Sequence, residues 1–385
     1  MRKSLQLLCL ICVLALIVAA ARIFPRLPAD SQPYVEKKYA GWNGVLRGWI
    51  SSEWSCSGSF VRWLNACAAG FEKRHEGVYL EFTEVDAAAM ADLGDSGIRP
   101  PELVLFSPGV QADASLLLPL ESSAQLSGQL TRCGEGCATP VAMGGYIWVY
   151  NRSLCDGAPS IDALESLTLL PDGGGRSFSA AAIALLSSKA DGDAELILPD
   201  PGLDLGLPAM AEANASLIQS DDALTEFING ELPYLIVTQA ELARLIRLRD
   251  AGRGPDWACA ATGDYACGDQ LLMLGVVKQA DATGAAREEL AMEFAAYLLG
   301  EDCQRRLADI GGFAVTDVQL YASHSAYAPM EALLRSRNLA VPDAFPEHSA
   351  SNAEAIVREY LRGGLEAESA LMQLCLKAEG YESRT

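Results

Sequence analysis

The chain has 385 residues, half of them hydrophobic, and a formal charge of −21. That length and apolar content allow two domains with substantial cores. An acidic surface of this strength repels phosphate backbones, which excludes nucleic acid as a partner.

Arg2 and Lys3 precede an apolar run from Leu5 to Val18, broken only by Gln6, and then Ala19-Ala20-Ala21. This is the basic, apolar, small-residue order of a secretory signal. Extended to Ala21, the run also reaches about the minimum length for a membrane span. Residues 1–21 are therefore expected to be a signal peptide or an N-terminal membrane anchor. The rest of the chain is expected outside the cytoplasm, released or tethered to the outer face of the cytoplasmic membrane. Cys9 and Cys12 lie inside the apolar run rather than at its end, which argues against lipid attachment. Residues 22–39, with Pro25, Pro28 and Pro33, read as a linker.

The segment from Gly44 to Val85 is the most informative. It reads as a strand, a Ser/Gly/Trp loop, an amphipathic helix and a second strand. Phe60, Trp63, Leu64, Cys67, Ala68 and Phe71 recur at the period of one helical face. Ser57 or Ser59 can cap the helix, and Gly77 sits just past its end. Val78, Leu80 and Phe82 share one side of the second strand. The loop thus lies at the C-terminal edge of a strand and the N-terminus of a helix, where open α/β sheets bind ligands.

Further along, 87–93 suits a short helix and 103–106 a strand buried on both faces. Residues 140–151 form an apolar β-rich run, in which Gly144-Gly145 allows close backbone approach. The run 171–178 lacks the Lys-Ser/Thr ending of a phosphate loop and reads as a turn before an Ala-rich helix over 180–188. Asp191-Gly192-Asp193 lacks the terminal Glu of a calcium loop. Helices are expected over 223–228, 241–248, 285–299 and 302–310, the last stopped by Gly311-Gly312, and strands over 235–237 and 271–277. Further helices are expected over 353–361 and 366–378. Strands separated by helices favour a largely parallel sheet.

Eleven cysteines include Cys9 and Cys12 of the leader, so an odd number follows it. Export permits disulfides, and Cys133 with Cys137 or Cys259 with Cys267 could close local bridges. Cys67, on the apolar helix face, is most simply a buried thiol. His75, His324 and His348 are isolated, and no structural metal is expected.

The order of these segments resembles the extracellular solute-binding proteins of ABC importers, specifically the maltose-binding-protein-like sugar binders. GVLRGWISSEWSCSGSFVRWLNACAAGFEKRHEGVYLEF is similar to the family's first strand, ligand-facing loop and helix. PPELVLFS resembles its next buried strand, and PVAMGGYIWVYNRSL its crossing strand. LTEFINGELPYLIVTQ, LAMEFAAYLLGEDCQRRLADIGGFAV and EYLRGGLEAESAL resemble three later segments in the same order. Departures are Glu102 in place of the usual Asp, Pro233-Tyr234 in place of Ala-Met, and no Thr-Trp motif after the crossing strand.

The resemblance implies a two-lobed α/β fold with a ligand cleft between lobes. Lobe one would hold 40–150 and 256–312, and lobe two 151–255 and 313–385. It implies a monomer that captures a carbohydrate or similar polar solute without catalysis or cofactor and delivers it to ABC permease subunits. The implied ligand-binding residues are Trp54, Ser57, Gly58, Ser59, Phe106, Ser107, Gly144, Tyr146, Thr238, Gln239 and Asp269. Trp54 could equally pack on its own lobe, the serines could merely cap, Phe106 could be core, and Asp269 a solvated turn charge. Met143, Gly145 and Gln270 border the same region. A membrane-tethered ligand-sensing module for a signalling receptor would share this fold and cleft. An extracellular glycan hydrolase would need a carboxylate pair, and no particular pair stands out.

Overall fold

The computed structural model describes residues 42–52, 54–94, 99–108, 110, 113–120, 126, 130, 136–157, 221–261, 266–267, 270–281, 283–335, 339–342 and 376–377. The leader, the linker, 171–178, 180–188, 191–193 and 353–361 lie outside the described residues, as do Cys133 and Asp269.

Alternation of apolar residues makes β1 (Gly44–Ser51) and β2 (Val78–Glu84) strands with one buried face. Between them α1 (Phe60–Glu72) buries Phe60, Trp63, Leu64, Cys67, Ala68 and Phe71, the stripe its period demands. Ser59 caps it, its hydroxyl accepting from the Arg62 N–H at 3.5 Å. Gly77, at φ 88°, supplies the left-handed turn into β2. The short helix α2 (Ala87–Ala91) starts on the Asp86 carboxylate.

β1 pairs in parallel with both β2 and β3 (Leu103–Phe106), all four of whose side chains are buried. β9 (Leu271–Val276) inserts between β3 and β4 (Ala138–Met143), antiparallel to both. The sheet order is β2-β1-β3-β9-β4, so an otherwise parallel sheet carries one antiparallel strand. The run 140–151, expected as one segment, is two strands. β5 (Tyr146–Asn151) leaves the first sheet and joins β6 (Tyr234–Thr238) and β7 (Trp257–Ala260) in an antiparallel sheet ordered β6-β5-β7. The chain therefore changes sheets at Gly144-Gly145, before the boundary expected near 150. β7 lies with the second sheet because it pairs with β5, although its residues were expected in lobe one.

Helices α3 (Asp221–Asn229) and α4 (Gln239–Asp250) flank β6. α4 starts two residues before its expected position, where Thr238 and Glu241 form a reciprocal capping box. A third small sheet joins β8 (Ala266–Cys267), β10 (Leu339–Pro342) and β11 (Leu376–Lys377). β11 falls where a helix over 366–378 was expected. Its backbone pairs antiparallel with β10 instead. α5 (Gly284–Leu298) buries Leu290, Phe294 and Leu298. The following segment splits into α6 (Glu301–Arg305) and a 3-10 turn (Arg306–Ile310), ended by Gly311 at φ 72°. α7 (Ala328–Leu334) packs against β5 and β7.

Two buried polar side chains tie these elements together. Gln304 donates to Val141 O and Leu298 O, each at 2.9 Å, and accepts from Val315 N at 3.0 Å. It thereby satisfies the irregularity in β4 between Pro140 and Ala142, where register shifts. Glu102, fully buried, accepts from Arg47 N at 2.7 Å and pairs with the buried Arg287 guanidinium. Arg287 also bonds Gln279 Oε1 at 2.9 Å and the Asp281 carboxylate. This network fixes α5 on the edge formed by β1, β3 and β9. Removing one partner of a buried pair strands the other charge, at a cost of about 3–5 kcal/mol. Arg287→Met is expected to lose stability on that order in urea unfolding followed by tryptophan fluorescence, with Glu102→Gln milder.

Candidate functional site

Three backbone segments run side by side where the first sheet gives way to the rest of the molecule. Met143 N donates to Phe313 O at 3.1 Å, and Phe313 N returns a bond to Met143 O at 2.8 Å. Gly144 N donates to Gln270 O at 2.8 Å, immediately before β9. Segments 143–145, 270–271 and 312–314 thus form one junction.

Gly144 is enclosed by two amides at this junction. A Cβ there would lie 2.4 Å from Gln270 Oε1 and 2.6 Å from Gln239 Nε2. Both glutamines are buried, at 2 % and 0 % exposure. Gln239 opens α4, and its side chain spans two directions. Its Oε1 accepts from Gly145 N at 3.0 Å, and its Nε2 donates to Ser55 O, in the loop after β1, at 2.8 Å. Gln239 is therefore a direct tie between the second sheet's flank and the loop of the first. Gln270 Oε1 has no hydrogen-bond partner among the described residues.

At the C-terminal ends of β1 and β3 the Ser52 and Ser107 hydroxyls approach to 3.5 Å. Ser107 is buried, and Ser52 half-buried. Tyr146 is opposite Thr238 in the β5–β6 register and is also buried. Thr238 itself is held as the α4 cap, its hydroxyl donating to Glu241 Oε2 at 3.0 Å.

Other expected site residues are taken up in packing and capping. Trp54 is a core side chain and not an open aromatic platform. It is only 6 % exposed, its indole N–H donates to Leu271 O at 2.9 Å, and its ring meets Phe60 edge-on at 4.8 Å. The Ser57 hydroxyl donates to Ile310 O at 3.0 Å, and Gly58 lies against the Ile310 side chain. Ser59 is the exposed helix cap, and Phe106 is wholly buried. Gln239 and Gly144 are thus the expected residues that meet at the junction, while Tyr146 follows it at the start of β5 and Ser107 lies at the end of β3.

An aromatic group beside Gln239 was not legible from sequence. Tyr321 and Tyr327 stack at 4.6 Å, and Phe313 meets Tyr321 edge-on at 5.0 Å. The Tyr327 hydroxyl donates to Gln239 O at 3.4 Å, and that of Tyr321 to Gly312 O at 3.0 Å. Burial pushes the Tyr327 phenol up to about 12 and raises Tyr321 as well, so both act as neutral donors. The segment 313–327 carries no regular periodicity, and only its aromatic density could have signalled the cluster.

The sequence matches no protein-family model and no curated protein. The fold matches many solved structures. A cyclic α-maltosyl-1,6-maltose binding protein from Arthrobacter globiformis aligns at a TM-score of 0.56 and 14 % identity, over 88 % of this chain and 99 % of its own. A maltodextrin-binding protein from L. casei BL23 gives 0.57 at 17 % identity, over 86 % and 97 %. A family 1 extracellular solute-binding protein from Bifidobacterium longum subsp. infantis gives 0.57 at 15 % identity, over 87 % and 98 %. This chain has the two-lobed α/β fold of those proteins.

Two substitutions separate packing from the junction. Trp54→Ala removes a buried indole and is expected to cost about 3–5 kcal/mol in chemical unfolding. Gly144→Ala forces a methyl group between Gln239 and Gln270. It is expected to cost about 1–3 kcal/mol as an overpacked site. It should also enlarge the radius of gyration in small-angle scattering as the Gln239 tie is lost.

Proposed function

We propose that the chain is an extracytoplasmic solute-binding protein that captures a carbohydrate by closure of two lobes, without chemistry, for an ABC importer. In this reading lobe one is built on the first sheet and lobe two on the second. The segments 143–145, 270–271 and 312–314 are the hinge. The basic-then-apolar N-terminus exports the chain and either is cleaved or tethers it.

The observation that carries the reading is the Gln270 amide. A buried acceptor left without a partner costs roughly 1–3 kcal/mol, which a ligand hydroxyl can recover. The Gln239 amide lies beside it across Gly144, and the strand ends and aromatic cluster near the junction add the neutral Ser52 and Ser107 hydroxyls and the phenols of Tyr146 and Tyr327. Such a set, among the described residues, suits replacement of the water shell of an uncharged polyhydroxyl compound. The serine pair sits at the carboxyl edge of parallel strands, where open α/β sheets hold ligands. The names of the matching structures add maltose-like oligosaccharides as first compounds to try.

The test is calorimetry of the mature chain against maltooligosaccharides, other glucans, monosaccharides and polyols. One class is expected to give saturable heat and to compact the molecule in small-angle scattering. Gln270→Ala should weaken that binding by about 1 kcal/mol or more, as loss of one hydrogen bond in a dry site predicts. Its unfolding midpoint should stay close to that of the parent. Absence of heat from every sugar at millimolar concentration would sink the proposal.

A further inference from the structure

We propose that Cys67 and Cys303 close into a disulfide that staples α1 to α6 across the back of the first sheet. Both are free thiols in this structure, and both are buried, at 1 % and 2 % exposure. Cys67 lies on the inward stripe of α1, one turn after Trp63. The Trp63 indole N–H donates to Cys303 O at 3.0 Å, so the backbone carrying Cys303 is already pinned to that stripe. The two thiols are near enough to act on each other's ionisation, and the Tyr297 hydroxyl acts on Cys303 as well.

This arrangement is polarised. The interaction with Cys303, followed by burial, raises the Cys67 thiol above its ordinary value. The neighbouring Cys67 and Tyr297 side chains, with the Arg306 charge nearby, lower Cys303 below an ordinary thiol in spite of its burial. Cys303 is the nucleophile of such a pair, and Cys67 the resolving thiol. Desolvation raises the buried Cys56, and it raises Cys259 to about 12 in spite of the nearby Arg249 charge. An open groove of about 900 Å³, lined by Gly70, Arg74, Tyr297, Asp302 and Arg306, runs beside the pair.

The oxidant is an external disulfide, R–S–S–R, of the kind present in oxidising compartments. The Cys303 thiolate attacks one of its sulfurs and expels the first RS⁻, which takes the Cys303 proton. Cys67 then gives up its proton and attacks the Cys303 sulfur of the mixed disulfide, and the second RS⁻ leaves as RSH. Two protein thiols are oxidised, one external disulfide is reduced, and two RSH carry the protons. The bond does not depend on what the cleft binds.

The full chain is refolded from its reduced, unfolded state in oxidised and reduced glutathione. It is then unfolded, alkylated without reduction, digested and mapped by mass spectrometry. The expected product is a Cys67 peptide joined to a Cys303 peptide, lighter by two hydrogens than their sum. Oxidation should raise the thermal midpoint on the order of 5 °C. That rise should vanish in Cys67→Ala and in Cys303→Ala. Alkylation of both cysteines in the glutathione-treated parent, or joining of either to a different cysteine, overturns the proposal. Those two results need no variant to fold.

Discussion

No side chain fits at position 144, and the way the two sheets meet follows from that. Because Gly144 has no Cβ, the amides of Gln239 and Gln270 come within contact distance of its Cα from two sides. Its backbone N–H remains free to bond Gln270 O. A methyl group would part the amides, and with them the connection between α4 and the loop after β1. Glycine is used here for close approach and not for left-handed backbone. Gly144 is absent from the positive-φ glycines, whereas Gly77 and Gly311 are among them.

The junction differs in kind from the polar networks elsewhere in the core. Glu102 is saturated by Arg47 N, Arg99 and Arg287, and Gln304 by three backbone groups from three segments. Glu331 likewise accepts from Leu320 N and Tyr321 N. Buried polar groups satisfied in this way fix a single arrangement of the elements around them. Gln239 is tied at both ends, but one of its ties runs to a carbonyl of an exposed loop residue, Ser55. A bond of that kind exchanges with water at little net cost. The surroundings of the first sheet are therefore fixed by saturated buried groups, while the Gln239 tie between α4 and the loop after β1 is a replaceable bond.

Much of the fold was legible because its signals are local and periodic. The stripe of α1, the alternation of β2, the fully apolar β3 and β9, and the Gly311 stop each follow from spacing and from what glycine permits. What was not legible is pairing. Nothing in 140–151 distinguishes one long strand from two strands in different sheets, since both are apolar throughout. Trp54 illustrates the limit within the site. A tryptophan in a Ser/Gly loop at a sheet edge suits a sugar platform, yet its indole finds Leu271 O, 217 residues away. Such a partner is invisible to sequence. Gln239 and Gln270 border a predicted strand, which brought them into view, whereas the reach of Gln239 to Ser55 depends on the sheet change at Gly144.

The same reasoning orders the molecule from the outside in. On the far side of the first sheet, α1, α5 and α6 meet through Trp63, Phe71, Phe294 and the Cys303 carbonyl, which accepts the Trp63 indole N–H. That layer leaves α1 no freedom to slide, so the loop preceding it keeps a fixed position at the sheet edge. The loop in turn presents the Ser55 carbonyl to Gln239 at the junction and the Ser52 hydroxyl to Ser107, while sending Trp54 and Ser57 into packing. A cleft wall needs this division of labour, because a recognition group held to within a fraction of an ångström must be supported by neighbours that do not move. Apolar and aromatic residues near the site thus act mainly as scaffold. The groups left at the junction are amides and hydroxyls, and in the proposed function they set what the cleft recognises.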